Sequence, residues 1–170
     1  AVGTLSTTDA DVGDAFVYAL VAGTGDADNG SFTIDGAALK TAAVFDYEAK
    51  NSYSVRIQTS DGNGGLYTEA FTVSVTDLEE APVLDPVGNQ TAYEDVPFTF
   101  TATASDSDND ALTFTWTGVP AGATATAAGV FSWTPTQADV GAYPMTVTVS
   151  DGSLTDSENF TLTVEAVNDN

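Results

Sequence analysis

"YSVRIQTSDGNGGLYTEAFTVSV" (residues 53–75) and "YPMTVTVSDGSLTDSENFTLTV" (143–164) are two copies of one pattern, and their reading decides the fold. Each opens with apolar residues at every second position: Tyr53, Val55 and Ile57 in one copy, Met145, Val147 and Val149 in the other. That is the period of a strand with one buried face. Each then breaks at Ser-Asp-Gly and resumes alternation from a Phe-Thr pair, through Phe71, Val73 and Val75 or through Phe160, Leu162 and Val164. Both copies therefore read as β-hairpins. Asp61 and Asp151, in the two turns, are 90 positions apart, which is the length of one small sandwich and makes the chain a tandem of modules.

Outward from the hairpins the same alternation recurs at Phe98, Phe100, Ala102 and at Leu112, Phe114, Trp116. Turn signals separate the runs: Asn29-Gly30, Asp35-Gly36, Asp61-Gly62, Asn63-Gly64-Gly65 and Asp151-Gly152. Short strands at such spacing imply an all-β chain of two tandem Greek-key β-sandwiches. Only "TPTQADVGAY" (134–143) reads as a helical turn. With 170 residues, 42% of them hydrophobic, each module has enough material for a core. The modules, 1–80 and 81–170, meet at "TDLEEAP" (76–82). Ahead of each hairpin lies an Asp-x-Asp: Asp9 and Asp11 in the first module, Asp106 and Asp108 in the second. The first Asp-x-Asp has few residues before it, whereas the second follows a long run after Pro82, so the first module is expected to lack an edge strand at its N-terminal side. An unfilled sheet edge invites pairing with another strand.

The charge balance narrows the chemistry. Against 25 acidic residues stand only Lys40, Lys50 and Arg56, a net charge of -22. Nucleic acids and anionic lipid surfaces are bound chiefly by Lys and Arg, and none follows Arg56, so neither is an expected partner. No apolar run approaches the length of a membrane span, so direct membrane insertion is not expected. The chain has no histidine and no cysteine, which removes disulfides, the usual zinc sites, thiolate nucleophiles and Ser-His-Asp triads together. What is left is oxygen chemistry. Its natural partner is a hard divalent cation, above all Ca²⁺, which takes carboxylate, carbonyl and water ligands.

The acids fall into two groups. Asp14, Asp26, Asp28, Asp85, Asp139 and Asp156 stand in turn-like surroundings and read as solvated turn formers. Others recur where strands end: Asp46 and Glu48 in "FDYE", Asp61 and Asp151 in the Ser-Asp-Gly turns, and Asp77, Glu79 and Glu80 in the linker. Loops of a sandwich collect at its two poles, so acids from separate turns can converge. Two carboxylates ~5 Å apart repel by roughly 3 kcal/mol at an effective dielectric of about 20. Convergence of several is favourable only with cations among them.

In order along the chain, "DAD" (9–11), "YAL" (18–20), "FTIDG" (32–36), "FDYE" (45–48), "YSVRIQTSDGNGG" (53–65) and "FTVSVTDLEEAP" (71–82) resemble a cadherin repeat. The second module, with "VPAG" (119–122) and "FSWTPT" (131–136), is similar to the dystroglycan-type cadherin-like domain. The resemblance implies calcium bound between consecutive modules. Matched residue by residue, it implies Asp46 and Glu48 as ligands from the first module, Asp77, Glu79 and Glu80 from the linker, and Asp106, Asp108 and Asp151 from the second. It also implies half-sites at the two ends: Asp9, Asp11 and Asp61 at one, and Asn168, Asp169 and Asn170 with Glu165 and Glu94 at the other. Glu79 stands where the family's linker carries Asn, and the linker is one residue short, so fewer ions than in a full junction are expected.

Rival readings fare less well. Asp106-Ser-Asp108-Asn-Asp110 imitates an EF-hand loop, but Ala111 and Thr117 stand where that loop needs Gly and a bidentate Glu. A glycosidase needs a carboxylic acid of raised pKa in a lined cleft, for which short sandwich turns offer little. A carbohydrate-binding module, accessory to a secreted enzyme, would use Trp116 and Trp133 as a sugar platform, although their in-strand spacing favours core positions. The expectation is a non-enzymatic, calcium-binding adhesion or spacer pair of an extracellular, secreted or cell-surface protein of bacterial style. Its expected partners are neighbouring cadherin-like modules of the same or another chain, with polysaccharide as the alternative.

Overall fold

The computed structural model describes residues 1–10 and 13–167. The chain is all-β and divides into two compact units, Ala1–Leu78 and Glu79–Asn170. Among the described residues no helix is long and apolar enough to cross a membrane.

The first unit contains β1 (Gly3–Thr4), β2 (Val17–Leu20), β3 (Phe32–Asp35), β4 (Ala38–Thr41), β5 (Ser52–Ser60) and β6 (Leu66–Ser74). They form two three-stranded sheets, β1-β4-β3 and β2-β5-β6. The β5–β6 hairpin is in register from Ser52 opposite Ser74 to Ser60 opposite Leu66. Phe32, Leu39, Val55 and Ile57 are its buried core. Phe45 stacks on Tyr53 with ring centroids 4.1 Å apart, and Phe32 meets both rings edge-on, which extends this small core by aromatic contact.

The second unit contains β7 (Val83–Leu84), β8 (Gln90–Tyr93), β9 (Phe98–Thr101), β10 (Ala104–Ser105), β11 (Thr113–Thr117), β12 (Thr124–Ala125), β13 (Val130–Trp133), β14 (Gly141–Ser150) and β15 (Thr155–Glu165). Its principal sheet has the order β11-β14-β15-β8, in which β8 runs parallel to β15. A three-stranded sheet, β12-β13-β9, and the pair β10-β7 complete the sandwich. The core is far larger than that of the first unit, centred on Phe131, Val147, Val149 and Leu162. The helical turn expected near 134–143 is a single 3-10 turn, Gln137–Asp139, closed by a capping box between Thr136 and Asp139. The Asp139 carboxyl is held below its usual range by the Thr136 amide and hydroxyl that donate to it.

Both Ser-Asp-Gly turns form as read. Gly62 and Gly152 adopt positive φ, 79° and 111°, which an L side chain would strain. Asp61 and Asp151 each accept amides from the turn that follows: Asn63 and Gly65 in one, Ser153 and Leu154 in the other.

Trp116 and Trp133 do not make an exposed platform. Trp133 is buried, edge-on to Tyr143. Trp116 packs against Phe100 and Phe131 and donates its indole N–H to the Thr126 carbonyl at 3.0 Å. In-strand alternation turns both rings towards the core, the positions that their spacing favours.

Candidate metal centre

The three basic side chains all lie in the first unit and are all occupied there. Lys40 pairs with Asp35, and Lys50 pairs with Asp28 and lies over the Tyr53 ring. Arg56 donates to the Thr24 carbonyl. Asp28 is held below the usual carboxylate range by the Lys50 hydrogen bond and then by the Ser54 amide; Asp35 is lowered by Lys40. The second unit has no Lys or Arg at all. Its acids must be stabilised by backbone amides, water or an ion.

Three loops of the second unit bring acids to one pole. Antiparallel pairing of β7 with β10, Val83 opposite Ser105, sets residues 79–82 beside the loop that begins at Asp106. That loop turns through Asn109 in a left-handed conformation, φ 62°, and Asp110 donates its amide to Asp106 Oδ1 at 3.2 Å. The Glu80 amide donates to Asp108 Oδ2 at 2.9 Å. The β14–β15 turn contributes Asp151, whose Oδ1 accepts from the Ser153 and Leu154 amides at 2.6 and 2.7 Å.

In each of these three aspartates one oxygen is spent on the backbone and the other is buried without a partner: Asp106 Oδ2, Asp108 Oδ1 and Asp151 Oδ2. An unpaired buried polar group costs about 1–3 kcal/mol, and more when charged. Three at one pole amount to a structural demand for positive charge. Glu79 senses the same field. Desolvation first, then Asp110, Asp108 and Asp151, push its carboxyl above the usual range against a hydrogen bond from Ser153. The donors are all hard oxygens, the set that suits Ca²⁺.

The other acids singled out in the sequence take several places. In the first unit, Glu48 and Asp77 each bring a carboxylate oxygen within 4.8 Å of the other. Asp46 accepts the Ala49 amide through Oδ1, closing a turn. Asp9 and Asp61 come together with Asp14 as a third member, all three within 4.8 Å. Asp14 reads from sequence as a turn former, but it also accepts from the Asn63 side chain at 2.9 Å. The spacing Asp9, Asp11, Asp14 carried a signal for it. Asp110, the outer acid of the EF-hand imitation, joins the field around Glu79. Asp11 and Asn168, Asp169 and Asn170 lie outside the described residues.

At the far end of β15, Glu94 is 2% exposed. Its Oε1 accepts the Val167 amide at 2.7 Å, its own amide donates to the Glu165 carbonyl, and its Oε2 is buried without a partner. Four of the acids read as turn formers have long-range work: Asp14 and Asp28, described above, and Asp156 and Asp85. Asp156 accepts the Leu84 amide, and Asp85 accepts the Thr103 hydroxyl.

Two sandwiches, one with a cation-poor acidic pole, define a tandem of cadherin-like and immunoglobulin-like modules. Residues 81–165 match the family described as "Putative Ig domain" (He_PIG), half of the chain, and the chain belongs to that family. Among curated proteins none matches it. Among solved structures it is similar to the EC1-2 segment of human protocadherin-24, with a TM-score of 0.67 at 16% identity over 96% of this chain and 88% of that one. It is similar to the EC1-2 segment of human mucin-like protocadherin, with a TM-score of 0.55 at 20% identity over 92% and 87%. Extracellular cadherin domains 1–5 of protocadherin gamma B2 match with a TM-score of 0.61 at 18% identity, over 91% of this chain and 33% of that one. At these identities the likeness establishes the fold: two tandem cadherin-like β-sandwiches.

Proposed function

We propose that the chain is a calcium-binding adhesion or spacer pair of an extracellular protein, not an enzyme, made of a cadherin-like module over residues 1–80 and a dystroglycan-type cadherin-like module over 81–170. The observation that carries this reading is the trio of buried, unpartnered carboxylate oxygens on Asp106, Asp108 and Asp151 in a unit without a single cation. Glu79 and Glu80 stand beside them. The family resemblance adds Asp46, Glu48 and Asp77 as further ligands. A bound ion would supply the missing positive charge, fix the linker residues against the Asp106–Asp110 loop and so stiffen the tandem. Neighbouring cadherin-like modules are the proposed partners.

The test is calcium titration by calorimetry, paired with small-angle scattering. Expected are a dissociation constant in the ~10⁻⁴ to 10⁻³ M range of extracellular calcium modules, selectivity over Mg²⁺, and a narrower spread of shapes with calcium than with EDTA. Identical scattering and no heat at millimolar calcium would overturn the proposal.

A further inference from the structure

The sequence contains two Asn-Gly pairs, Asn29-Gly30 and Asn63-Gly64, and the fold treats them oppositely. Asparagine before glycine is the side-chain amide most easily lost to hydrolysis, because glycine has no side chain to keep its backbone nitrogen away from the asparagine Cγ. Asn29 is held from both sides. Its Nδ2 donates to the Val21 carbonyl at 3.0 Å and its Oδ1 accepts the Arg56 amide at 2.9 Å, which ties the 3-10 turn Asn29–Ser31 to β5. Asn63 lies instead in the exposed loop between β5 and β6. Its Nδ2 donates to Asp14 Oδ1 at 2.9 Å, and among the described residues nothing donates to its Oδ1. Asp61 takes the amides on either side of the reactive peptide, those of Asn63 and Gly65, at 2.7 and 2.9 Å. The Gly64 amide between them has no acceptor among the described residues. Gly64 itself, at φ 107°, has open space where a side chain would stand.

We propose that Asn63 is a site of spontaneous deamidation in the folded chain, with water as the co-reactant, and that the fold protects Asn29 from the same reaction. The Gly64 nitrogen gives its proton to a solvent base and attacks the Asn63 Cγ. The N–Cγ bond forms, the Cγ–Nδ2 bond breaks, and Nδ2 takes a proton from water and leaves as ammonia. One water then opens the cyclic imide at either carbonyl, to aspartate or isoaspartate, and nothing is oxidised or reduced. Each conversion exchanges a neutral donor for a carboxylate beside Asp14, where oxygens of Asp9, Asp14 and Asp61 already lie within 4.8 Å of one another. The modification therefore adds negative charge to the most acidic corner of the first unit, and it does so irreversibly. At Asn29 the same attack must await a local opening that breaks both side-chain hydrogen bonds and strips the Arg56 amide of its acceptor.

The test ages the intact chain in mildly alkaline buffer, with a second aliquot in guanidinium as the unfolded reference, and follows each asparagine by peptide mapping with mass spectrometry. Expected in buffer is conversion at Asn63 at least about tenfold faster than at Asn29, as for an attack that need not await local opening. More acidic variants should accumulate in step on anion exchange. In guanidinium the two rates should converge, because each pair is then an unrestrained Asn-Gly. Asn63→Gln, whose longer side chain closes an imide far more slowly, should abolish the acidic variants of the folded chain and leave the rate at Asn29 in guanidinium unchanged. Equal rates at the two sites in the folded chain, or faster loss at Asn29, would overturn the proposal. So would an intact Asn63 over a period in which the guanidinium aliquot converts, or acidic variants that persist in Asn63→Gln. A tenfold ratio that survives in guanidinium would also overturn it, since the preference would then belong to the flanking sequence and not to the fold.

Discussion

The two units solve the same hairpin differently. β14–β15 is flanked on both sides, by β11 and β8, and its inward residues vanish into a core built on Phe131 and Leu162. Among the described residues β5–β6 is flanked by β2 alone, so Val55 and Ile57 on the inner strand are buried while Phe71 on the outer one is not. Charge divides the units the opposite way. The first holds every cation of the chain and satisfies Asp28 and Asp35 internally, whereas the second has the better core and an acidic pole it cannot neutralise. Burial of apolar surface and satisfaction of charge are thus separate requirements, and each unit meets one of them more fully. Stability in the second unit follows its core, and the proposed dependence on calcium rests on its pole.

The largest expected effect breaks the comparison at equivalent phenylalanines. Phe160→Ala should destabilise the second unit by about 3–5 kcal/mol, as for a buried aromatic, while Phe71→Ala should cost the first unit about 1 kcal/mol because much of that ring is already hydrated. Both tryptophans are in the second unit, so their fluorescence follows its unfolding alone in denaturant, and exchange at Val55 and Ile57 follows the first. Equal costs would mean that β6 is as well covered as β15.

Next in size is the ion. At calcium about tenfold above the dissociation constant, mass action gives about 1.4 kcal/mol, or about 6–11 °C in melting temperature for a unit of this size. The tryptophan-detected transition should show this shift on going from EDTA to calcium. An unmoved transition would leave the buried oxygens of Asp106, Asp108 and Asp151 without an explanation.

Asp108→Asn sharpens the point within the pole. The amide side chain keeps an oxygen for the Glu80 backbone N–H but removes a charge, so calcium should bind about tenfold more weakly, about 1.4 kcal/mol. In EDTA the variant should melt no lower than the parent, since an uncompensated buried charge has been removed. A variant that loses stability equally in both conditions would identify Asp108 as structural support only. Asp156 is unsuitable as a neutral control, because its carboxylate holds the Leu84 amide.

Much of this was legible in the sequence, for physical reasons that also mark its limits. Strand alternation and the obligatory glycine of Ser-Asp-Gly are local, so the hairpins, their turns and the two-sandwich architecture could be read directly. Alternation tells which face of a strand turns inward but not whether another strand covers its edge, so the same pattern gave a buried Phe160 and a half-open Phe71. Glu158 shows the second limit. Its carboxylate accepts the Val87 and Gly88 amides some 70 positions away, and no spacing rule reaches that far. Asp14 reads as a turn former because turn chemistry and convergence on a pole look alike in one dimension.

The smallest expected effect has the most informative sign. In the ion-free folded state desolvation and the charges of Asp110, Asp108 and Asp151 raise the Glu79 pKa. Folding therefore favours its protonated form relative to the unfolded chain, and that contribution to stability is fully present below the unfolded pKa of about 4.3 and lost as pH rises through the folded value. Glu79→Gln keeps the neutral form at all pH. In EDTA the variant and the parent should melt together in acid and separate as pH rises towards neutrality, with the variant the higher. In saturating calcium the order should reverse, because the ion uses the carboxylate that repulsion had made unfavourable. Melting curves across pH, with and without calcium, read both signs. A parent that stays the more stable in EDTA at neutral pH would show that the acidic pole is already satisfied without a cation.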